Sequence, residues 1–230
     1  MKEKFEILDF HSHILPGADH GSSSLETSLT QLKYAAESGI KNIVATPHFY
    51  PHAHTVDSFI AKRDAAYESL APHIPDGMNI KLGAEVLICK GIENLPGLDK
   101  LFLDGTNTLL LELSFSDFSA DYPDSVQTLI KNGVNVVLAH ADRYDPELIE
   151  QMLMLGAKIQ LNATALNTVF KKKTLYDWLS RGVVVALGSD IHGADKNAYP
   201  TLVKAYKKIG VYAEKVQNES LNILKSSLNN

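Results

Sequence analysis

Short runs of apolar residues alternate along the chain with longer segments in which apolar residues recur at helical spacing. Seven of the short runs predict strands, near Glu6–Phe10, Asn42–Thr46, Asn79–Val86, Thr108–Leu113, Val134–Ala139, Ala157–Leu161 and Val183–Leu187. Most of these runs are continuous rather than alternating, which is typical of strands that are buried on both faces of a parallel sheet.

The longer segments predict helices between and after the strands. Their predicted limits are Leu25–Ser38, Asp57–Leu70, Asp124–Lys131, Pro146–Leu155, Thr174–Ser180, Tyr199–Lys208 and Ala213–Leu224. Ser24 is a predicted N-cap of the first helix, and Gly39 follows its end. Repeated strand–helix alternation predicts parallel βαβ units, which suit a short β/α barrel. A doubly wound open sheet is the alternative, because periodicity does not separate the two. We expect a single domain over residues 1–230.

Composition narrows the function classes. The formal net charge of −5 argues against nucleic acid as a partner, because binding the phosphate backbone requires a basic surface. The one cysteine, Cys89, has no intrachain partner for a disulfide, and we expect it to be a packing residue. No apolar run approaches the ~18 residues of a membrane span, and the first residues lack a signal-peptide pattern. We therefore expect no membrane insertion and a cytoplasmic location.

The strongest local chemical pattern is the pair His11 and His13, which follows the first predicted strand. Residues two apart on an extended chain point to the same side, so both imidazoles can reach one ion. Neutral histidine nitrogen is a ligand for zinc, manganese, iron and related ions. Two unrelated loop histidines are the alternative interpretation of this pair.

Other side chains that can bind metal follow the apolar runs. They are His48, Glu85, Glu112, His140, Asp190 and His192. In β/α barrels the carboxyl ends of the strands form the active site. A buried glutamate is costly without a partner, and bound cations would supply one. Taken singly, His48 could be a loop residue, Glu112 could pair with a lysine and His140 could be a core histidine. We do not expect His52, His54 and His73 to be ligands.

Six segments in order resemble the polymerase-and-histidinol-phosphatase (PHP) family. They are DFHSHILPGADHGS (9–22), ATPHF (45–49), GAEV (83–86), LLLEL (109–113), LAHADRY (138–144) and GSDIH (188–192). Within that family the chain is most similar to the bacterial PHP-type protein-tyrosine phosphatases of capsule and exopolysaccharide operons. The resemblance implies a distorted seven-stranded (β/α)7, TIM-like barrel. It also implies three divalent metal ions, with Mn²⁺ as the usual ion and Fe, Zn or Mg as alternatives.

The resemblance also implies a ligand for each ion. His11, His13, Glu85 and Asp190 would hold the first. Glu85 would bridge to the second, which Glu112 and His140 complete. His48 and His192 would hold the third, together with residue 20.

The chain departs from the family pattern at two places. Where a second acidic residue is usual, the pair reads Asp19-His20, and we predict that His20 is a ligand. The alternative is that Asp19 binds and His20 turns away. The arginine that usually follows the last motif is missing, and Lys196 is the predicted substitute in phosphate binding. Arg143 is predicted to bind phosphate, the alternative being a surface salt bridge with Asp142 or Asp145.

The function implied by the resemblance is hydrolysis of phosphotyrosine with metal-activated water, with Arg143 and Asp190 as catalytic residues. The implied substrate is the tail of a bacterial tyrosine autokinase, and the implied process is the regulation of capsular or extracellular polysaccharide synthesis. The alternatives are a phosphatase of a small phosphomonoester such as histidinol phosphate, or a non-catalytic binding module. We expect the loops Phe49–Thr55 and Ser114–Pro123 to decide the substrate. The sequence does not indicate an oligomeric state.

Overall fold

The protein is described by a computed structural model that covers residues 6–114, 121–167 and 172–225. Within these residues the strands are β1 Leu8–Ser12, β2 Asn42–Ala45, β3 His48–Phe49, β4 Asn79–Leu82, β5 Glu85–Leu87, β6 Thr108–Glu112, β7 Asn135–Leu138, β8 Lys158–Asn162 and β9 Val184–Gly188. The helices are α1 Leu25–Glu37, α2 Val56–Leu70, α3 Tyr122–Lys131, α4 Pro146–Met154, α5 Lys172–Arg181, α6 Ala198–Ile209 and α7 Ala213–Lys225. The predicted limits agree to within two residues, apart from one predicted strand that is divided, and β3 has no predicted counterpart.

All the strand pairs are parallel and form two sheets, in the orders β1-β2-β4 and β3-β5-β6-β7-β8-β9. The strand predicted over Asn79–Val86 is divided into β4 and β5, opposite a break between β2 and β3. Pro47 lies in that break and has no N–H to donate, so the ladder is interrupted beside it. Gly83 N still donates to Ala45 O (2.9 Å), and Glu85 N donates to Pro47 O (3.1 Å), so the two sheets continue across the break.

The last strand lies beside the first. Asp190 N donates to His11 O at 2.9 Å, and His13 N donates to Ile191 O at 3.3 Å. An open doubly wound sheet would instead leave these strands apart at its edges. The seven strand positions follow one another around a distorted barrel, as predicted.

Apolar side chains on the two faces of the strands enter two separate clusters. Leu110 and Val137 belong to the smaller cluster, whereas their chain neighbours Leu109 and Val136 pack with the surrounding helices. Because successive side chains on a strand point to opposite faces, the smaller cluster fills the barrel interior. Its other members are Leu8, Phe10, Val44, Leu103, Ala139, Val185 and Ala186.

Helix α7 covers the amino end of the barrel. Its residues Leu221, Ile223 and Leu224 pack against the interior cluster. Gln217 Oε1 accepts a hydrogen bond from the backbone N of Leu8, at the start of β1 (3.2 Å). The carboxyl ends of the strands, on the other side, are left for the site. No helix in the described ranges is long and apolar enough to cross a membrane.

Three helices, α1, α2 and α4, begin with a side-chain cap. The hydroxyl of Ser24 accepts a hydrogen bond from Thr27 N at 3.2 Å, which confirms the predicted cap of α1. The Thr55 hydroxyl does the same for α2, and the Asp145 carboxylate for α4. Each cap satisfies a backbone N–H that the first helical turn leaves without a partner.

Candidate metal centre

The carboxyl ends of the strands bring the predicted ligands together. His11 lies on β1 and His13 just after it, His48 begins β3, Glu85 begins β5 and Glu112 ends β6; His140 follows β7, and Asp190 and His192 follow β9. His11, His13, Glu85 and His140 are each at most 1 % exposed. Ionisable groups so deeply buried require close partners, and the partners here are one another.

The Glu85 carboxylate lies at the middle of the cluster. Its Oε2 is 3.1 Å from His11 Nε2, 3.3 Å from His13 Nε2 and 3.2 Å from His48 Nε2. Its Oε1 is 2.7 Å from His140 Nε2. Among the described residues, no side chain or backbone group makes a well-aligned hydrogen bond to Oε2, although the atom is buried. Three nitrogens therefore converge on an oxygen whose hydrogen-bonding capacity is not used.

The donor set suits divalent cations. Ligand atoms within 4.8 Å of one another form three overlapping groups: His11, His13 and Glu85; His48, Glu85 and Glu112; and His13, His48 and His192. The Nε2 atoms of His11 and His13 are 3.1 Å apart, a contact in which only one nitrogen can donate. Mixed imidazole and carboxylate ligands are those that zinc, manganese and iron accept. The residues fit such ions.

The buried imidazoles and carboxylates of the cluster shift one another's pKa values. Burial alone would lower the pKa of His13, but the nearby carboxylates of Asp19, Asp190 and Glu85 hold this pKa well above its usual value. Burial would also lower the pKa of His140. The carboxylates of Glu112 and Glu85 outweigh burial and raise this pKa to about 9. Conversely, nearby His11 keeps the pKa of Glu85 well below its usual value in spite of burial. A metal ion would occupy the places of the imidazole protons.

Arg143 joins the cluster through Asp190. Its guanidinium pairs with Asp190 Oδ2, while Asp190 Oδ1 lies 3.3 Å from His13 Nε2. The predicted alternatives for Arg143 are engaged elsewhere, since Asp142 accepts from Asn162 N (2.8 Å) and Asp145 caps α4. The Arg143 side chain is 42 % exposed, so it lies between the buried ligands and solvent.

Two of the predicted ligands have an uncommon backbone conformation. His140 has φ 33° and Asp190 has φ 52°, and no other non-glycine residue in the described ranges has positive φ. This left-handed conformation costs free energy for a side-chain-bearing residue, and it persists where surrounding contacts impose it. Each residue lies two positions after the end of a strand, and the turn directs its side chain into the cluster.

Asp19 and His20 occupy different places around the same histidines. Asp19 Oδ2 lies 2.7 Å from His13 Nδ1 and 3.0 Å from His48 Nδ1, and it accepts from His48 N at 2.9 Å. His20 is exposed, and the centre of its ring lies 4.5 Å from that of His48 and 4.8 Å from that of His192. Both residues therefore contact the histidine cluster, Asp19 from within and His20 from the solvent side. The role of His20 as a ligand stays a prediction.

Lys196 lies on the exposed turn before α6. A polar cavity of about 230 Å³ opens beside Arg143, and its described lining includes Asp195 but not Lys196. His52, His54 and His73 are all exposed. Residues 115–120 of the second predicted specificity loop lie outside the described residues.

Residues that sequence reasoning did not single out support the ligands. Asp9 is fully buried and accepts from Ser189 Oγ (2.6 Å) and Ser189 N (2.7 Å), and burial raises its pKa to about 6. Gln160 and Asn162 on β8 contact His11 and Asp190. Their polar side chains, two apart at the end of an apolar run, were an available signal, but amides are not typical ligands of these metals.

Comparison with known proteins identifies a family whose model matches nearly the whole chain. The model of the family described as capsular polysaccharide synthesis, CpsB/CapC, matches residues 7–226. The tyrosine-protein phosphatase CpsB of Streptococcus pneumoniae is 25 % identical over 221 residues, which cover 87 % of this chain and 91 % of the relative. The tyrosine-protein phosphatase YwqE of Bacillus subtilis (strain 168) is 27 % identical over 180 residues, or 73 % of this chain and 68 % of the relative.

A solved structure has the same fold. It comes from work on YwqE from Bacillus subtilis and CpsB from Streptococcus pneumoniae, described as unique metal-dependent tyrosine phosphatases. It superposes with a TM-score of 0.80 at 20 % identity and covers 96 % of this chain and 95 % of the solved chain. The agreement extends over nearly the whole barrel.

Proposed function

This chain belongs to the capsular polysaccharide synthesis CpsB/CapC family, and from that premise we propose that it is a metal-dependent protein-tyrosine phosphatase. The membership confirms the resemblance found in the sequence. The observation that carries the proposal is the convergence of three imidazole Nε2 atoms on the buried Oε2 of Glu85. Such a set of donors, with an arginine at its exposed edge, suits a cation-assisted reaction of an anionic substrate.

We propose three divalent ions for the site, the number that the family resemblance implies. Three overlapping groups of ligand atoms that could each hold an ion support the presence of metal. The proposed ligands are those that the sequence predicts: His11, His13, His20, His48, Glu85, Glu112, His140, Asp190 and His192. Bound ions would neutralise phosphate oxygens and lower the pKa of a water toward neutrality. Mn²⁺ is the proposed ion. His20 in place of a carboxylate removes one negative charge, which would shift the preference toward zinc or iron.

The chain's own residues bind and orient the phosphate. The Arg143 guanidinium can donate two parallel N–H bonds to phosphate oxygens, a geometry that a lysine cannot reproduce. Asp190 holds Arg143 at the edge of the cluster, so the phosphate would lie between the arginine and the ligands. A tyrosine leaving group has a pKa of about 10, so it departs with less protonation than an alkyl alkoxide. Lys196, on the neighbouring exposed turn, is the proposed second cation for the phosphate.

A cysteine-based mechanism has no support in this chain. Cys89 is half-buried, and burial raises the pKa of its thiol, so the nucleophilic thiolate is disfavoured. It packs against the main hydrophobic core. Its predicted role as a packing residue agrees with this placement.

The proposed substrate is a phosphotyrosine protein, specifically the tail of a bacterial tyrosine autokinase that controls polysaccharide export. Family membership supports this choice, and a cytoplasmic tail would require a cytoplasmic enzyme. The loop after β3 contributes an aromatic wall beside the site, since the Tyr50 ring centre lies 5.3 Å from that of His48 and 5.9 Å from that of His52. Such a wall is suited to contact with a phosphotyrosine ring.

The test measures metal content together with hydrolysis of three substrates: a phosphotyrosine peptide, histidinol phosphate and p-nitrophenyl phosphate. Each assay is run on metal-stripped protein with Mn²⁺, Fe²⁺, Zn²⁺ or Mg²⁺ added back. We expect bound metal and a preference for the peptide. A preference for histidinol phosphate would replace the substrate with a small phosphomonoester, and metal-free protein without phosphatase activity would leave only a binding module.

A further inference from the structure

We propose that Gln160 is a positioning residue that sets the ring tautomer of His11 and, through Asn162, joins three metal ligands from three different strand ends. Gln160 and Asn162 both lie on β8, the one strand position of the barrel from which no predicted ligand comes. Both are buried: Gln160 is 0 % exposed and Asn162 is 2 % exposed. The inference deepens the proposed function and rests on it.

The side-chain oxygen of Gln160 lies between two proposed ligand residues. Its Oε1 is 2.6 Å from the backbone N of His140 and 3.2 Å from Nδ1 of His11. The backbone N–H can only donate, so the atom facing it has to be the amide oxygen and not the amide NH₂. An oxygen accepts from His11 only if Nδ1 carries the proton. The lone pair is then on Nε2, which is the atom that faces Glu85 and His13.

The other end of the Gln160 amide extends the chain of contacts. Its Nε2 donates to Asn162 Oδ1 at 3.0 Å, which fixes which way the Asn162 amide points. Asn162 Nδ2 in turn donates to Asp190 Oδ2 at 2.9 Å. The two amides thus connect His11, His140 and Asp190, with every donor facing an acceptor. Buried partners of this kind hold metal ligands in a single orientation.

Gly188 provides the room for this arrangement. It pairs with Asn162 in the register of β8 and β9. A Cβ at position 188 would lie 2.6 Å from His11 Cβ and 2.7 Å from Gln160 Nε2, both closer than non-bonded atoms allow. The glycine before Ser189 therefore permits the contact between Gln160 and His11.

The arrangement serves only part of the metal centre. His11, His140 and Asp190 are the proposed ligands of the first two ions. His48, a proposed ligand of the third ion, is held instead by Asp19 through its Nδ1. Loss of the Gln160 acceptor should therefore weaken binding of two ions and leave the third.

The experiment compares Gln160→Met, which keeps the length of the side chain without the acceptor, with Gln160→Glu, which keeps an acceptor oxygen. Stripped protein is titrated with MnCl₂ alone, and free Mn²⁺ is counted by electron paramagnetic resonance. We expect about 10–100-fold weaker binding of two ions in Gln160→Met and a change of only a few-fold in Gln160→Glu. Gln127→Met is the matched control, because Gln127 is an exposed residue of α3 that contacts Lys131.

Equal Mn²⁺ affinity of wild type and Gln160→Met would overturn the positioning role alone. A wild-type chain that binds no Mn²⁺ would overturn the proposed function and this inference together. A second measurement does not depend on the folding of a variant. ¹⁵N chemical shifts of His11 in the Zn²⁺-loaded wild-type chain should show a protonated Nδ1 and a ligating Nε2. A ligating Nδ1 would overturn the inference even if the titrations agreed with it.

Discussion

The two ends of the barrel differ in the kind of side chain that they bury. At the carboxyl end, four imidazoles and four carboxylates are buried close together, and the half-buried His192 lies beside them. The eight buried side chains are His11, His13, His48, His140, Asp9, Glu85, Glu112 and Asp190. At the amino end, α7 covers the interior with Leu221, Ile223 and Leu224. Its polar contacts there include two with backbone carbonyls: Ser220 Oγ donates to Val185 O at 2.7 Å, and Lys81 Nζ donates to Leu224 O at 2.6 Å. One end concentrates charge and the other buries apolar area.

The contrast suggests that the carboxyl end carries the function and that the amino end contributes more to stability. Buried ionised groups lose hydration that their mutual attraction recovers only in part, so the carboxyl end is a net cost without cations. Burial of apolar side chains at the amino end offsets such a cost. We therefore expect substitutions at the carboxyl end to change metal binding and activity more than stability, and substitutions at the amino end to do the reverse.

The largest effect is expected from His11→Ala at the carboxyl end. The variant should lose metal and at least about 10³-fold in phosphatase rate, because cation assistance contributes several kcal/mol to stabilising the transition state. Metal content by mass spectrometry and peptide hydrolysis are the measurements. His73→Ala, at an exposed histidine away from the strand ends, is the control and should retain both. An active variant with its full metal content would remove the central assignment.

At the amino end, Leu8→Ala should give the largest effect on stability. Leu8 is fully buried in the interior cluster, so the substitution should lower the free energy of unfolding by about 2–5 kcal/mol. Below the melting transition, the rate of hydrolysis and the affinity for Mn²⁺ should stay near those of wild type. Urea denaturation of the metal-free chain is the measurement, and Met154→Ala, at a residue 78 % exposed, is the control. A loss of metal in folded Leu8→Ala would break the proposed separation of the two ends.

Arg143→Ala tests whether the carboxyl end itself divides into metal-binding and substrate-binding parts. We expect kcat/KM to fall about 10²–10³-fold while metal content stays at the wild-type value, because Arg143 contacts Asp190, a proposed ligand, without being one itself. Arg143→Lys should recover only a small part, since an ammonium lacks the paired N–H geometry. Arg181→Ala is the control, because Arg181 pairs with Glu150 on the surface. Metal lost together with activity would instead assign Arg143 to holding Asp190.

The strands and helices were predictable because the information that specifies them is local, whereas closure of the barrel depends on contacts between the first and last strands. Continuous Val, Ile, Leu and Ala runs marked the strands, and cap residues such as Ser24 marked the helix starts. The division of the strand predicted over Asn79–Val86 was not predicted, because it depends on Pro47 in the neighbouring strand and not on the divided strand itself. Helix α7 was predicted as a helix, but its place over the amino end follows from three-dimensional packing that periodicity does not report.

The clustering of histidines and carboxylates was predictable from residue type, whereas their role as metal ligands stays a prediction. Histidines and carboxylates at strand ends were recognised from residue type and position. Gln160 and Asn162 were missed because their contribution is an orientation, which depends on which atom each amide presents to His140 N and Asp190. The placement of Asp19 against two Nδ1 atoms likewise depends on how the loop after β1 turns, and spacing does not determine that.

The smallest expected effects on metal binding are those of substitutions at Asp19 and His20. They compare two residues that contact the same histidines at the carboxyl end. Asp19 accepts from His13 and His48 at their Nδ1 atoms, so Asp19→Asn should weaken metal binding about 10–100-fold by releasing two ligands at once. His20→Ala should cost less and affect one ion, because His20 is exposed and contacts the third group from the solvent side. Mn²⁺ titration counts the ions in each variant, with His52→Ala as the exposed-histidine control. A larger loss of Mn²⁺ affinity in His20→Ala than in Asp19→Asn would contradict this order. It would mean that direct ligation by His20 contributes more than the orientation of His13 and His48 by Asp19.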